Sequence, residues 1–307
     1  MNDAIVEVSI IIVNFNTKQM TKECIDSIFK FTKGISYEVI VVDNNSTDGS
    51  KELLELDDRI IYVYNSSNLG FGRANNVGAG YAKGEVLFFL NTDTLIIDNV
   101  IYDMFCFLKQ NLKVAICGTN LVNKELAPTL SFERFFPSIK YLLNELLCRV
   151  PGRVLYGRNL RYNYTNRPIQ VAYVSGADLM IKSELFKKVG GFDSNFFMYW
   201  EETDLCLQIH RLGYDIIALP DHKIIHFGGS SFQNHSRLPS AKKLNIQYAS
   251  MRYFLEKNYS IKEIRLYYFI YSINIHFRCF FYKIIHNKDK YEMWRNDLII
   301  HRQNKQL

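Results

Sequence analysis

Short, mostly apolar runs recur through the first part of this chain, and each stops abruptly at asparagine or aspartate. Residues 8–13 end in Asn14-Phe-Asn16, residues 38–42 in Asp43-Asn-Asn-Ser-Thr-Asp48, and residues 86–90 in Asn91-Thr-Asp93. Apolar runs of this length without a 3.6-residue period read as buried strands. Between the first two, Met20, Cys24, Ile28 and Phe31 repeat at helical spacing, and a short helix is expected near residues 51–55. Runs at 60–64 and 114–117 continue the series. This alternation predicts an α/β fold with a mainly parallel sheet and helices on both faces. Ligands of such sheets lie beyond the carboxyl ends of the strands, so the polar residues that end each run form the candidate site.

The bulk composition fits that architecture. The chain has 307 residues, 48% apolar and 22% charged, with 16 Gly and 6 Pro, which excludes disorder and collagen-like sequence. Its six cysteines form no CxxC or CxxH pair, which argues against a zinc site or disulfide framework and for reduced core thiols. Acids at Asp3 and Glu7 contradict a signal peptide, so a cytoplasmic chain is expected. The longest uncharged apolar window near the end, residues 266–277, stops at Arg278 and is too short to span a bilayer. Charge is unevenly placed: from Ser231 onward there are 14 basic and 5 acidic residues, against 23 and 26 before it.

Several residues carry chemistry beyond their structural use. Asp43 opens a turn, where Asp and Asn commonly bond their own backbone, or it faces a ligand. Asn68-Leu-Gly-Phe-Gly-Arg-Ala-Asn-Asn-Val-Gly78 offers glycines (Gly70 first) for close backbone approach, Arg73 for phosphate, and Asn76. Gly70-x-Gly72-x-x-Asn75 lacks the third glycine of a dinucleotide fingerprint and comes late in the chain, which weakens a nicotinamide-dependent oxidoreductase reading. Asp93 either caps the following turn or offers one carboxylate to a divalent ion, which takes its other ligands from phosphate and water. Trp200-Glu201-Glu202-Thr203-Asp204 sets three acids at a helix start behind an aromatic wall. Desolvation and like-charge repulsion there make a general base. His226 is a structural histidine or a ligand, and Gly228 to Ser231 after it leave room for one.

Taken together, residues 8–16, 41–50, 68–78, 89–93 and 190–206 resemble an inverting family 2 glycosyltransferase of the GT-A fold, similar to bacterial rhamnosyltransferases of surface polysaccharide synthesis; the likeness covers about residues 8–231. It implies a UDP- or dTDP-linked sugar donor and a glycan or lipid-linked acceptor. It places Asn14, Asn16, Asp43, Asn68, Gly70, Arg73, Asn76, Asn91, Asp93 and Gly176 around the nucleotide-sugar. Asp93 matches the last acid of the family's metal motif, with Asn91 at its first position, and His226 matches a metal-binding histidine; Mg²⁺ or Mn²⁺ is the implied cofactor. Glu202 matches the catalytic base, with Glu201 as the alternative. A non-catalytic nucleotide-sugar-binding protein of the same fold is the rival expectation.

The expected organisation is a catalytic domain over residues 1–231 and a basic, aromatic helical extension over 232–307. Within the first, 128–170 is irregular and reads as a mobile acceptor-side loop. Ser260-Ile-Lys-Glu263 is a capping-box pattern, and helix is expected over residues 261–286. On that helix Lys262, Arg265, Ser272, His276 and Lys283 share a narrow stripe, which suits an anionic membrane surface or packing against the catalytic domain or a second copy in a homo-oligomer. Nucleic acid is not an expected partner, because no recognition motif accompanies the charge.

Overall fold

The computed structural model describes residues 5–228 and 241–304. In chain order, β1 (Val8–Asn14), α1 (Lys18–Phe31), β2 (Tyr37–Asp43), α2 (Ser50–Leu54), β3 (Ile61–Tyr64), α3 (Phe71–Tyr81) and β4 (Val86–Leu90) form a parallel βαβ succession. Then follow β5 (Thr94–Ile96), α4 (Val100–Gln110), β6 (Val114–Val122), β7 (Phe132–Glu133), α5 (Ile139–Leu146), α6 (Val150–Tyr156), β8 (Ile169–Gln170) and β9 (Tyr173–Val174). The chain closes with β10 (Asp178–Lys182), α7 (Ser183–Lys188), α8 (Glu201–Arg211), β11 (Asp215–His226), α9 (Ala241–Asn258), α10 (Ile261–Ile284) and α11 (Lys288–Asn304).

The main sheet runs β3-β2-β1-β4-β10-β6-β11-β5, with β8 added beside β11. It is mostly parallel; β10 runs against β4 and β6, and β5 runs against β11. Alternation along β1 shows why both faces need helices. Ile10 and Ile12 pack with Cys24, Ile25 and Ile28 of α1, whereas Ile11 joins Ala74 of α3 and Leu205 and Ile209 of α8 on the opposite face. A third apolar cluster, including Phe254, Tyr267, Ile270 and Ile300, joins α9, α10 and α11 to Leu142 of α5 and to Phe196 and Leu207.

The sheet and flanking helices are as expected, with three differences. Residues 128–170 are not an open loop: Ser138 caps α5, and α5 packs against α10. β10, absent from the sequence reading, is a buried central strand, hidden because Gly176-Ala-Asp178 looks like a turn and only a few apolar residues follow. Of the six free cysteines, Cys24, Cys117 and Cys206 are buried, but Cys148 is exposed. Residues 229–231, expected to give a ligand room beside His226, lie outside the described residues.

Candidate active site

The carboxyl edge of the sheet is knit by a relay of side chains. Asn14, fully buried, donates from its amide to Asp43 (3.3 Å) and Ser46 (3.0 Å), while the hydroxyls of Thr17 and Thr21 donate to its carbonyl oxygen. Thr17 also reaches the hydroxyl of Thr92 at 3.1 Å, which links the end of β1 to the turn after β4. Asp43 accepts from the Ser46 amide at 2.8 Å, so its turn role is realised. Asn16, in a left-handed conformation (φ 54°), accepts from the Thr47 amide at 2.7 Å.

The next loop is held by a residue the sequence did not single out. Asn44, nearly fully buried, donates to Asn68 (2.9 Å) and to the Gly70 carbonyl (3.1 Å), and accepts from Asn65 and from the Leu69 amide. Its signal was available: three polar residues directly after a strand invite such cross-loop bonding. The glycines here serve the protein's own chain. A Cβ at Gly70 (φ +85°) would lie 2.1 Å from the Phe197 carbonyl oxygen, and one at Gly72 would press on Phe192 and Glu201. Arg73 and Asn76 are turned the same way. Arg73 donates to the Ser194 carbonyl, and Asn76 exchanges hydrogen bonds with the Phe192 backbone at 2.7 and 2.9 Å. In the structure Gly70, Gly72, Arg73 and Asn76 dock residues 192–201 onto α3.

That docking delivers the acids of α8. Tyr199 and Trp200 both adopt left-handed backbone conformations (φ 69° and 76°), a strain of ~1–3 kcal/mol each for residues with a Cβ. Packing sustains it: Trp200 lies against Phe254 with ring centroids 5.2 Å apart, and Ser250 donates to the Met198 carbonyl at 2.8 Å. The three acids then diverge. Asp204, fully buried, meets Lys257 of α9 at 2.7 Å. Glu201, 3% exposed, packs toward Gly72, and its Oε2 has no hydrogen-bond partner. Glu202 lines a cavity of about 500 Å³. Burial pushes both glutamates above the usual carboxylate range; for Glu201 the shift is large, and the neighbouring Glu202 charge adds to it.

Gly176 connects the acid to the sheet edge. A Cβ there would stand 3.6 Å from Glu202, and the carbonyl of the next residue, Ala177, accepts from the Asn91 amide at 3.1 Å. Beyond Asn91, Asp93 Oδ1 lies 3.3 Å from His226 Nε2, because β5 and β11 pair antiparallel with His226 opposite Thr94. The sequence also missed Asp178, at the start of β10. It accepts from the Thr119 amide and hydroxyl at 2.6 and 2.7 Å through one oxygen, while the other is buried without a hydrogen-bond partner; burial pushes its carboxyl up to about 7.

The signature of glycosyl transferase family 2 matches residues 9–190. The chain belongs to this family. It is 27% identical over 218 residues to the low-salt glycan biosynthesis hexosyltransferase Agl10 of Haloferax volcanii, covering 68% of this chain and 64% of that relative. It is 23% identical over 236 residues to rhamnosyltransferase WbbL of Escherichia coli K12, covering 72% and 83%. A crystal structure of GalNAc-T7 with UDP, GalNAc and Mn²⁺ matches with a TM-score of 0.59 at 16% identity, over 82% of this chain and 48% of that one. That likeness shows the shared GT-A fold. The chain thus spans just under two thirds of the haloarchaeal relative and about half of GalNAc-T7. Membership of family 2 removes the oxidoreductase reading, whose glycines are already explained by residues 192–201.

Among the described residues no three His, Cys, Asp or Glu side chains cluster as metal ligands. Asp93 and His226 still suit a hard divalent ion held partly by substrate. Their facing atoms have the spacing of neighbouring ligands on ~2.1 Å bonds, and one or two protein ligands are usual where phosphates and water complete the shell.

Proposed function

We propose that this chain is an inverting glycosyltransferase. It moves a hexose, with rhamnose the leading candidate, from a UDP- or dTDP-linked donor to a hydroxyl of a glycan or lipid-linked acceptor in cell-surface polysaccharide synthesis. The observation that carries the reading is Glu202. It is a cavity-lining carboxylate beside Gly176, one residue from the carbonyl that binds the Asn91 amide on the metal-candidate side. The two relatives, a glycan biosynthesis hexosyltransferase and a rhamnosyltransferase, support the substrate class, and the UDP and Mn²⁺ bound in GalNAc-T7 support a nucleotide donor with a divalent ion.

In this mechanism Glu202 accepts the proton of the attacking hydroxyl, a role that contributes ~10²–10⁴-fold. Direct attack on the anomeric carbon inverts it, with no covalent enzyme intermediate. Asp93 and His226 would hold Mg²⁺ or Mn²⁺, which when bound offsets charge on the leaving diphosphate. The ends of β1 and β2, with Asn14, Asn16 and Asp43, form the nucleoside end of the donor site, and Asn68, Asn91 and Gly176 flank the sugar. Glu202→Gln is expected to bind UDP or dTDP like the parent while transfer falls by ~10²–10⁴-fold. Transfer at the parental rate would remove Glu202 from the base position and favour the non-catalytic reading.

A second part of the proposal concerns place. Among the described residues no helix is long and apolar enough to cross a membrane. The outer face of α10 nevertheless exposes Leu266, Phe269, Ile273, Phe277, Phe280 and Ile284 in one row, beside exposed Lys262, Arg265, His276 and Lys283. Apolar side chains flanked by cations suit the interface of an anionic bilayer, where each Lys or Arg adds ~1 kcal/mol. The reading sets the enzyme on the inner face of the cytoplasmic membrane.

A further inference from the structure

The cavity beside Glu202 is roofed by the C-terminal helices, and its lining is chemically one-sided. Tyr199, Trp200 and Glu202 come from the catalytic domain, Gln247 from α9, and Trp294 and Asp297 from α11. Tyr141 and Glu145 of α5 add a further ring and a further carboxylate. Among its described lining residues none is lysine or arginine. The nearby Arg278 is held by the walls themselves: it lies over the Trp294 ring at 4.9 Å, donates to the Glu145 backbone carbonyl at 2.8 Å and stands 3.6 Å from the Glu145 carboxylate. Asp297 is oriented by the Tyr271 hydroxyl, 3.2 Å away. A volume of about 500 Å³ falls within the ~300–1,000 Å³ of small-ligand pockets.

We infer that this cavity is the acceptor subsite and that it takes an uncharged saccharide ring, not a phosphate-bearing headgroup. Glu145 is neutralised by Arg149 at 2.6 Å and Arg278 at 3.6 Å. Glu202 and Asp297 have no ion pair among the described residues, and these two disfavour phosphate on electrostatic grounds, as like charges in a partly desolvated site repel. Aromatic faces accept the C–H faces of a sugar ring, and the carboxylates with Gln247 accept or donate to its hydroxyls. Glu202 then meets the hydroxyl that reacts. On this view the extension is part of the active site, because α9 and α11 supply the residues that recognise the acceptor. The assignment rests on the transferase reading above and adds to it the acceptor's chemical class.

The chain's two tryptophans, Trp200 and Trp294, both line this cavity, so intrinsic fluorescence reports on it directly. The full chain is titrated with a panel of methyl glycosides and, separately, with glycerol phosphate and inorganic phosphate. A saturable change with at least one glycoside and none with either phosphate is expected. Asp297→Asn should weaken that glycoside at least tenfold, and Gln247→Ala, which leaves the Tyr271–Asp297 contact untouched, severalfold, with UDP and dTDP affinity unchanged in both. Saturation by phosphate without any glycoside signal overturns the assignment, as does parental glycoside affinity in both variants. Failure of UDP and dTDP to bind the parent is a separate result that defeats the transferase reading, and this assignment with it.

Discussion

Glu201 and Glu202 are neighbours in sequence and opposites in environment, which is what a helix start does to consecutive side chains about 100° apart. Glu202 faces the cavity and Gly176, whereas Glu201 points at Gly72 with one oxygen unpartnered. Glu201→Gln should therefore keep most of the transfer activity that Glu202→Gln loses, and comparison of the two rates tests the assignment. Burial raises the Glu202 carboxyl, and a base works only when deprotonated. The acid limb of kcat/KM is thus expected at higher pH than the ~4.3 of an unperturbed glutamate, and a limb at or below that value would contradict the buried-base geometry. Glycines give a cleaner residue-scale contrast. Gly70→Ala meets both a positive φ and the Phe197 carbonyl, and should cost at least ~1–3 kcal/mol in urea unfolding. Gly80→Ala has open space and no positive φ, and should stabilise by ~0.4–1 kcal/mol.

At the level of elements, the legible parts were those whose pattern is local. The capping box at Ser260 and Glu263 forms as the sequence indicates, and α10 runs from Ile261 to Ile284. Gly213, at φ +86°, follows α8 in the left-handed conformation that commonly ends a helix. β10 and α5 were not legible, because their identity comes from partners far along the chain: β10 is a strand by virtue of lying between β4 and β6, and α5 owes its place to α10. The site divides in the same way. Acids at strand ends were visible, but nothing local shows that Arg73 and Asn76 hold residues 192–194, or that Asp204 serves α9 instead of catalysis. Lys257 bridges Asp193 and Asp204, each at 2.7 Å, and Asn258 adds a 3.2 Å bond to Asp204. Lys257→Met leaves Asp204 as a buried charge without its cation. Breaking such a pair costs ~3–5 kcal/mol when both partners are buried, and the 28% exposure of Lys257 brings the expected loss toward the lower end. Chemical denaturation measures it, and a loss below about 1 kcal/mol would mean that α9 is held by the apolar cluster instead.

For the whole molecule, α10 packs on the body of the protein through one face and leaves the other exposed, and only the exposed face bears on the membrane proposal. Ile264, Tyr267 and Ile270 are buried in the cluster with α9 and α11, so cutting the chain after Ser260 would unfold the roof of the cavity and say nothing specific about membranes. The outer face must be changed without touching the inner one. Phe269, Phe277 and Phe280 are 63%, 45% and 65% exposed, and their joint replacement by serine should leave thermal stability and UDP or dTDP affinity near parental. Burying a large apolar side chain is worth ~1.5–3 kcal/mol, so even partial insertion of three rings implies a drop of at least ~100-fold in affinity for vesicles containing phosphatidylglycerol. Because the flanking cations contribute as well, parental binding should weaken with added salt and fall on neutral phosphatidylcholine vesicles. Equal cosedimentation of parent and triple variant would refute the interfacial reading. So would a salt-stable dimer in solution that the three serines dissociate, since the exposed row would then be a contact between two copies of the chain.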